Sequence, residues 1–137
     1  MKNVLILDTN PLPLNSSLMG LSGNYNEFVH LEEVKFIYQV IRKLLFRPVE
    51  DENLIESPYD LLIVGFTSPD KDMEKVHFIR YLKRNKPDLP LLIYSHNEKA
   101  WLMKQRLTVE NDEPALVADR KDIGEVLGNF LERGILC

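Results

Sequence analysis

Three runs of four apolar residues, Val4–Leu7, Leu61–Val64 and Leu91–Tyr94, constrain this chain more than any other feature of it. None of them alternates apolar with polar, and they stop at Asp8, Gly65 and Ser95. A strand with one wet face would alternate. A short unbroken run fits a strand covered on both faces, which points to a parallel sheet held between layers of helices. Asn26–His30 and Ala115–Ala118 are two weaker strand candidates.

Helical periods separate these runs. Val34, Ile37, Ile41, Leu44 and Leu45 share one face, with Lys35, Arg42 and Lys43 turned away. Met73, Val76, Ile79 and Leu82 form a second stripe beside Lys75, Arg80 and Lys83. Asn97 is placed to cap a less regular helix through Trp101, Met103 and Leu107. The last period is the clearest, with Ile123, Val126, Leu127, Phe130 and Leu131 in line, Asp119 or Asp122 as cap and Gly134 as stop.

Two connections read as irregular. "PLPLNSSLMGLSGNYN" is rich in Pro, Gly and Ser, so a helix between the first two strands should be brief. "RPVEDENLIESP" reads as an acidic, exposed loop. The order is β-α-β-α-β-α-β-α-β-α. It implies an α/β fold, a doubly wound five-stranded parallel sheet of the flavodoxin-like kind, with strand order 2-1-3-4-5.

At 137 residues the chain is one domain, residues 1–137, with a linker expected to begin near residue 132. Its net charge of −4 argues against binding nucleic acid through its own field, because phosphate contacts need clustered Lys and Arg. The basic residues of "KRNKP", with Lys99, Lys104 and Arg106, are read as solvating and favouring helix C-terminal ends. The single cysteine, Cys137, excludes an internal disulfide and a thiolate metal cage. No signal peptide opens the chain and no apolar stretch nears the roughly 20 residues of a membrane span, so a cytoplasmic location is expected. No glycine-rich phosphate loop is present, and no cofactor is expected.

Parallel sheets of this type carry their sites at the carboxyl ends of the strands. Here those positions are Asp8 and Thr9 after the first strand, Gly65 after the third, Ser95 after the fourth and Ala118 after the fifth. In this set the chain resembles a response-regulator receiver domain. Receivers carry two acids after the first strand, the phosphoacceptor Asp after the third, Ser or Thr after the fourth and Lys after the fifth. Pro69 matches the proline that follows the third strand in receivers. On that resemblance Asp8 stands at the first acid and Ser95 at the hydroxyl, while Thr9, Gly65 and Ala118 replace the second acid, the phosphoacceptor and the lysine. Lys121 lies close to Ala118.

Those replacements have a chemical meaning. Glycine offers no nucleophile, and one acid with one hydroxyl is a poor cage for Mg²⁺. The resemblance therefore implies a degenerate receiver, with no catalytic residues and no metal site, acting without phosphorylation. Asp8 reads either as a leftover metal ligand or as a strand-end carboxylate bonded to nearby backbone amides. Ser95 reads as a satisfied hydroxyl, and His96 beside it could serve as a base. Asp70 and Asp72 read as loop solvation and helix capping.

The resemblance further implies a homodimer and a downstream DNA-binding domain beyond Cys137, of the kind found in LuxR-type transcription regulators. Trp101, Met103 and Leu107 are the interface candidates. Two other readings remain open at this point: a stand-alone adaptor that docks on a kinase or regulator, and a small flavodoxin-like enzyme.

Overall fold

The structure is a computed structural model that describes residues 2–9, 29–44, 59–67, 72–86, 88–107 and 116–134. The strands are β1 (Lys2–Leu7), β2 (Val29–Val34), β3 (Leu61–Phe66), β4 (Leu91–Ser95) and β5 (Leu116–Val117). Among the described residues the helices are α1 (Ile37–Leu44), α2 (Met73–Asn85), α3 (Ala100–Leu107) and α4 (Ile123–Arg133). A 3₁₀ turn over Arg120–Asp122 leads into α4. All strand pairs are parallel, as the apolar runs predict, and the order is β2-β1-β3-β4-β5, the one expected of the flavodoxin-like kind. The expected brief helix between β1 and β2, and the acidic loop before β3, lie outside the described residues.

Burial on both faces explains the unbroken apolar runs. On one face Leu5, Leu7, Leu62, Val64 and Ile93 pack with α1, α2 and α3. On the other, Val4, Ile6, Ile63 and Leu92 pack with Ile123, Leu127 and Phe130 of α4. Each strand residue thus has an apolar partner whichever way it points, and alternation has no role.

Several expectations need correction. The second strand runs over Val29–Val34, later than Asn26–His30, and Val34 closes that strand instead of opening the helix. The reason is its place at the sheet edge. An edge strand is only half covered, so Glu32 and Glu33 fit where a central strand would exclude them. The third strand continues through Gly65 to Phe66, which is fully buried opposite Ser95.

Along α2, Val76, Ile79 and Leu82 are core, but Met73 is exposed and Lys75 is buried. Met103 and Leu107 are also core, so they cannot serve as interface residues; Trp101, 65% exposed, is the member of that trio left on the surface. The apolar stripe of α4 is likewise spent on the sheet. Gly134 ends α4 as expected, in the left-handed region at φ 74°, with its N–H bonded to the Phe130 carbonyl at 2.7 Å. The expected linker start near residue 132 therefore falls inside the helix.

Neither Asp119 nor Asp122 caps α4 with its side chain. Asp119 instead reaches across and accepts the Ala100 N–H at 2.7 Å, capping α3 in the place expected of Asn97. That bond ties the β5 exit to the start of α3.

The central strand sets the stability of this arrangement. Leu62 is fully buried in β3, and its replacement by Ala should cost about 2–5 kcal/mol through lost burial and the cavity left behind. Urea titration of Leu62→Ala should show the loss. Equal midpoints for Leu62→Ala and wild type would contradict a core at this face.

Candidate functional site

Parallel register brings three positions to one level at the carboxyl end of the sheet. Leu7 pairs with Val64, which places Asp8 level with Gly65, and Gly65 pairs with Tyr94. Side-chain direction alternates along each strand, so Val4, Ile6 and Asp8 share a face with Leu61, Ile63 and Gly65, and with Leu92 and Tyr94. The row Asp8–Gly65–Tyr94 therefore faces one way.

Glycine at the middle of that row is a steric necessity. A Cβ on Gly65 would lie 2.5 Å from Asp8 Oδ2, 2.5 Å from the Tyr94 hydroxyl and 2.6 Å from Tyr94 Cζ. The phenol of Tyr94 and the carboxylate of Asp8 meet across the missing side chain. Tyr94 is fully buried and its hydroxyl donates to Asp8 Oδ2. His96, two residues on, bonds the same oxygen through Nε2 at 2.8 Å and sets its ring edge-on to Tyr94, with centroids 5.4 Å apart.

Asp8 itself is 2% exposed. Backbone amides were one expectation for it; two side chains hold its Oδ2. Burial, then the bond to Asp8, pushes the Tyr94 phenol well above the usual tyrosine range, so it remains a donor at any physiological pH. Arg120 lies near enough to oppose that shift.

The other predicted positions have separate fates. Ser95 is 4% exposed, and its hydroxyl donates to the Thr67 carbonyl at 3.1 Å while accepting the Asn97 and Glu98 N–H groups at 3.2 and 3.1 Å. It stitches the β3 and β4 exits together as a satisfied hydroxyl. Ala118 follows β5 directly, bonds its N–H to the Ile93 carbonyl at 2.9 Å and packs into the apolar layer with α4. Thr9 is exposed and lines a cavity with Lys35 and Lys75. Asp72 accepts the Thr67 N–H at 2.7 Å, bracing the loop after β3 in place of a side-chain cap on α2. Asp70 lies outside the described residues.

The Mg²⁺ that the receiver resemblance implies does not fit this set. Gly65 offers no oxygen ligand from a side chain, the Oδ2 of Asp8 is already held twice, and no group of three or more His, Cys, Asp or Glu side chains is placed to hold a metal among the described residues. His30 and His77 are both exposed, on β2 and α2.

A sequence reading misses Tyr94, which looks like the end of an apolar run. The available signal was parity: a lone glycine in an unbroken strand, with an aromatic at the matching level of its neighbour. It also misses Lys75, which donates to the Gly65 carbonyl at 2.7 Å and stands 5.8 Å above the Phe66 ring.

No protein-family model and no curated protein matches the chain. Solved structures do. The receiver domain of the histidine kinase CKI1 from Arabidopsis thaliana aligns with a TM-score of 0.61 at 18% identity, over 96% of this chain and 91% of that one. A CheY-like receiver from Methanospirillum hungatei aligns at 0.58 and 14%, over 96% and 94%. RcsB of Salmonella enterica serovar Typhimurium, a response regulator bound to a promoter in the presence of a phosphomimetic, aligns at 0.58 and 21%. That match covers 98% of this chain and 63% of RcsB, so this chain spans under two thirds of that regulator. The chain has the receiver fold.

Removing the hydroxyl tests the closed row. Tyr94→Phe takes a donor from a buried carboxylate and should destabilise the domain by about 1.5–3 kcal/mol. The phenol titrates higher in the folded chain than in the unfolded one, so above about pH 10 the unfolded chain loses its proton first and stability declines. Tyr94→Phe should flatten that alkaline decline, leaving the part due to Tyr59, whose phenol burial and Glu32 also push upward. Denaturation midpoints across pH 8–11 read both effects; an unchanged alkaline slope would place the Tyr94 hydroxyl in water.

Proposed function

We propose that this chain is a pseudo-receiver: a regulatory domain of receiver fold that works through contacts in place of phosphoryl transfer, inside a bacterial signalling or transcription regulator. The observation that carries the reading is the Asp8–Gly65–Tyr94 row. Where a receiver's phosphoacceptor would project there is no side chain, and the phenol of Tyr94 occupies the volume. A phosphoryl group has no nucleophile to join. Ala118 leaves no charge at the fifth strand's exit to hold the transferred group. The acid that remains, Asp8, is tied to Tyr94 and His96.

The same reading covers assembly. By analogy with RcsB, a regulator bound to a promoter, we include in the proposal a DNA-binding domain beyond Cys137. With a net charge of −4, this domain would leave DNA contact to that partner domain and act in the cytoplasm by dimerising. Trp101 on α3, 65% exposed, supports an interface because exposed tryptophan is of the residue type enriched there.

Two experiments test this. Incubated with acetyl phosphate and Mg²⁺, neither wild type nor Gly65→Asp should gain a phosphate adduct by intact-mass spectrometry. The new carboxylate would overlap the Tyr94 ring, an overpacking of about 1–3 kcal/mol or more, and Gly65→Asp/Tyr94→Val should regain part of that stability while still failing to label. An adduct on the wild type would sink the pseudo-receiver reading.

Light scattering at micromolar concentration should give about twice the 16.0 kDa chain mass, and Trp101→Ala should shift it toward one chain. A monomeric wild type would remove the dimer from the reading.

A further inference from the structure

The crevice on the other side of the strand ends holds an unresolved charge. Lys75 is only 7% exposed. Its ammonium carries three donors, yet it meets one acceptor, the Gly65 carbonyl at 2.7 Å, and the face of Phe66. Among the described residues no carboxylate pairs with it. A buried cation without a counter-charge is costly, and such groups are ordinarily paired.

Lys75 lines a cavity of about 290 Å³ at the ends of β1, β2 and β3. Its lining runs from Thr9 after β1 to Lys35 and Phe36 after β2 and to the start of α2, at the carboxyl edge of the sheet where open parallel sheets admit ligands. A second lysine, Lys35, lines the same cavity. Two acids share the lining: Asp72, whose Oδ2 accepts the Thr67 amide, and Glu74, which like Lys35 is exposed, so Lys75 is the buried charge of the set. The rim is aromatic and apolar: Phe36, 53% exposed and stacked on Tyr38 at 5.7 Å, and Met73, 47% exposed. One buried ammonium, an exposed lysine beside it and an open ring at the mouth point to one kind of molecule.

We propose that this cavity binds a small aromatic anion, a ring bearing a phosphate or a carboxylate, with Lys75 and Lys35 on the anionic group and Phe36 stacked on the ring. The inference stands apart from the pseudo-receiver reading, which makes no use of these three side chains. It gives the domain an input of its own: a ligand that neutralises Lys75 stabilises the bound state and ties the starts of α1 and α2 to one molecule.

The test is a titration of the whole chain, followed by amide chemical shifts, with phenyl phosphate and phenylacetate as probes and with inorganic phosphate and phenol as controls. At least one aromatic anion should saturate, moving the amides of residues 35–37 and 72–75, and should bind more tightly than either control. The probe that saturates names the anionic group. Lys75→Met should weaken binding at least about tenfold, and Lys35→Met and Phe36→Ala by about threefold or more. Lys35 and Phe36 are exposed, so those two variants keep the test open if Lys75→Met does not fold. Absence of saturation with both aromatic anions overturns the proposal. So does unchanged affinity in Lys75→Met or in both other variants, shifts confined to the Arg120–Lys121 region, or phosphate binding as well as phenyl phosphate.

Discussion

The contact between Tyr94 and Asp8 across Gly65 is the constraint on which the carboxyl end of this domain depends. Three strands contribute one residue each to it, and none of the three can change alone. Any side chain at position 65 meets the phenol; a smaller residue at 94 opens a void and leaves a buried carboxylate short of a donor. Such residues act as a unit, and the energy of the unit is not the sum of separate substitutions. Glycine in the middle of a fully buried strand ordinarily weakens it. Here the missing Cβ is what lets the Tyr94 phenol reach Asp8 across the sheet.

Around that contact the strand exits are tied laterally. Ser95 joins the loop after β3 to the turn after β4, Asp72 braces the loop after β3, and Asp119 caps α3 from beyond β5. Each uses a short polar side chain on a backbone group that would otherwise be orphaned at a strand or helix end. Polar residues at a sheet's site-bearing edge usually signal chemistry. In this domain most of them are spent on architecture, and the hydroxyl that resembles a receiver's phosphate ligand is already satisfied three times over.

The fold was legible because its signal is one-dimensional. Unbroken runs such as Leu61–Val64 report burial on both faces, which suffices for parallel pairing, while the strand order followed from likeness to known doubly wound folds. The edge strand was misplaced because half-exposure admits Glu32 and Glu33 and erases the run. Lys75 looked like a solvent-facing residue because helical periodicity gives its angle but not the reach of its stem, which carries the ammonium back to Gly65. Met103 and Leu107 looked available because the period shows that a stripe exists without showing what covers it. The positions of the candidate site were legible, and their partnerships were not. Tyr94 meets Asp8 only through parallel register, which no single segment encodes.

Charge satisfaction separates the two halves of this edge. A cluster of acids at one strand end repels itself and calls for a cation, as two carboxylates sharing a site cannot both stay ionised without one. Here the cluster is reduced to Asp8, and hydroxyl and imidazole replace the cation. A buried polar network whose groups already have partners has little to gain from binding something else. Lys75 differs in just that respect: it is 7% exposed, its ammonium meets a carbonyl and a ring face, and the residue lines a cavity. By this reasoning the capacity to respond has moved away from the row that resembles a phosphorylation site and toward the crevice beside β2. There the burial energy of one charge is left for a ligand to offset.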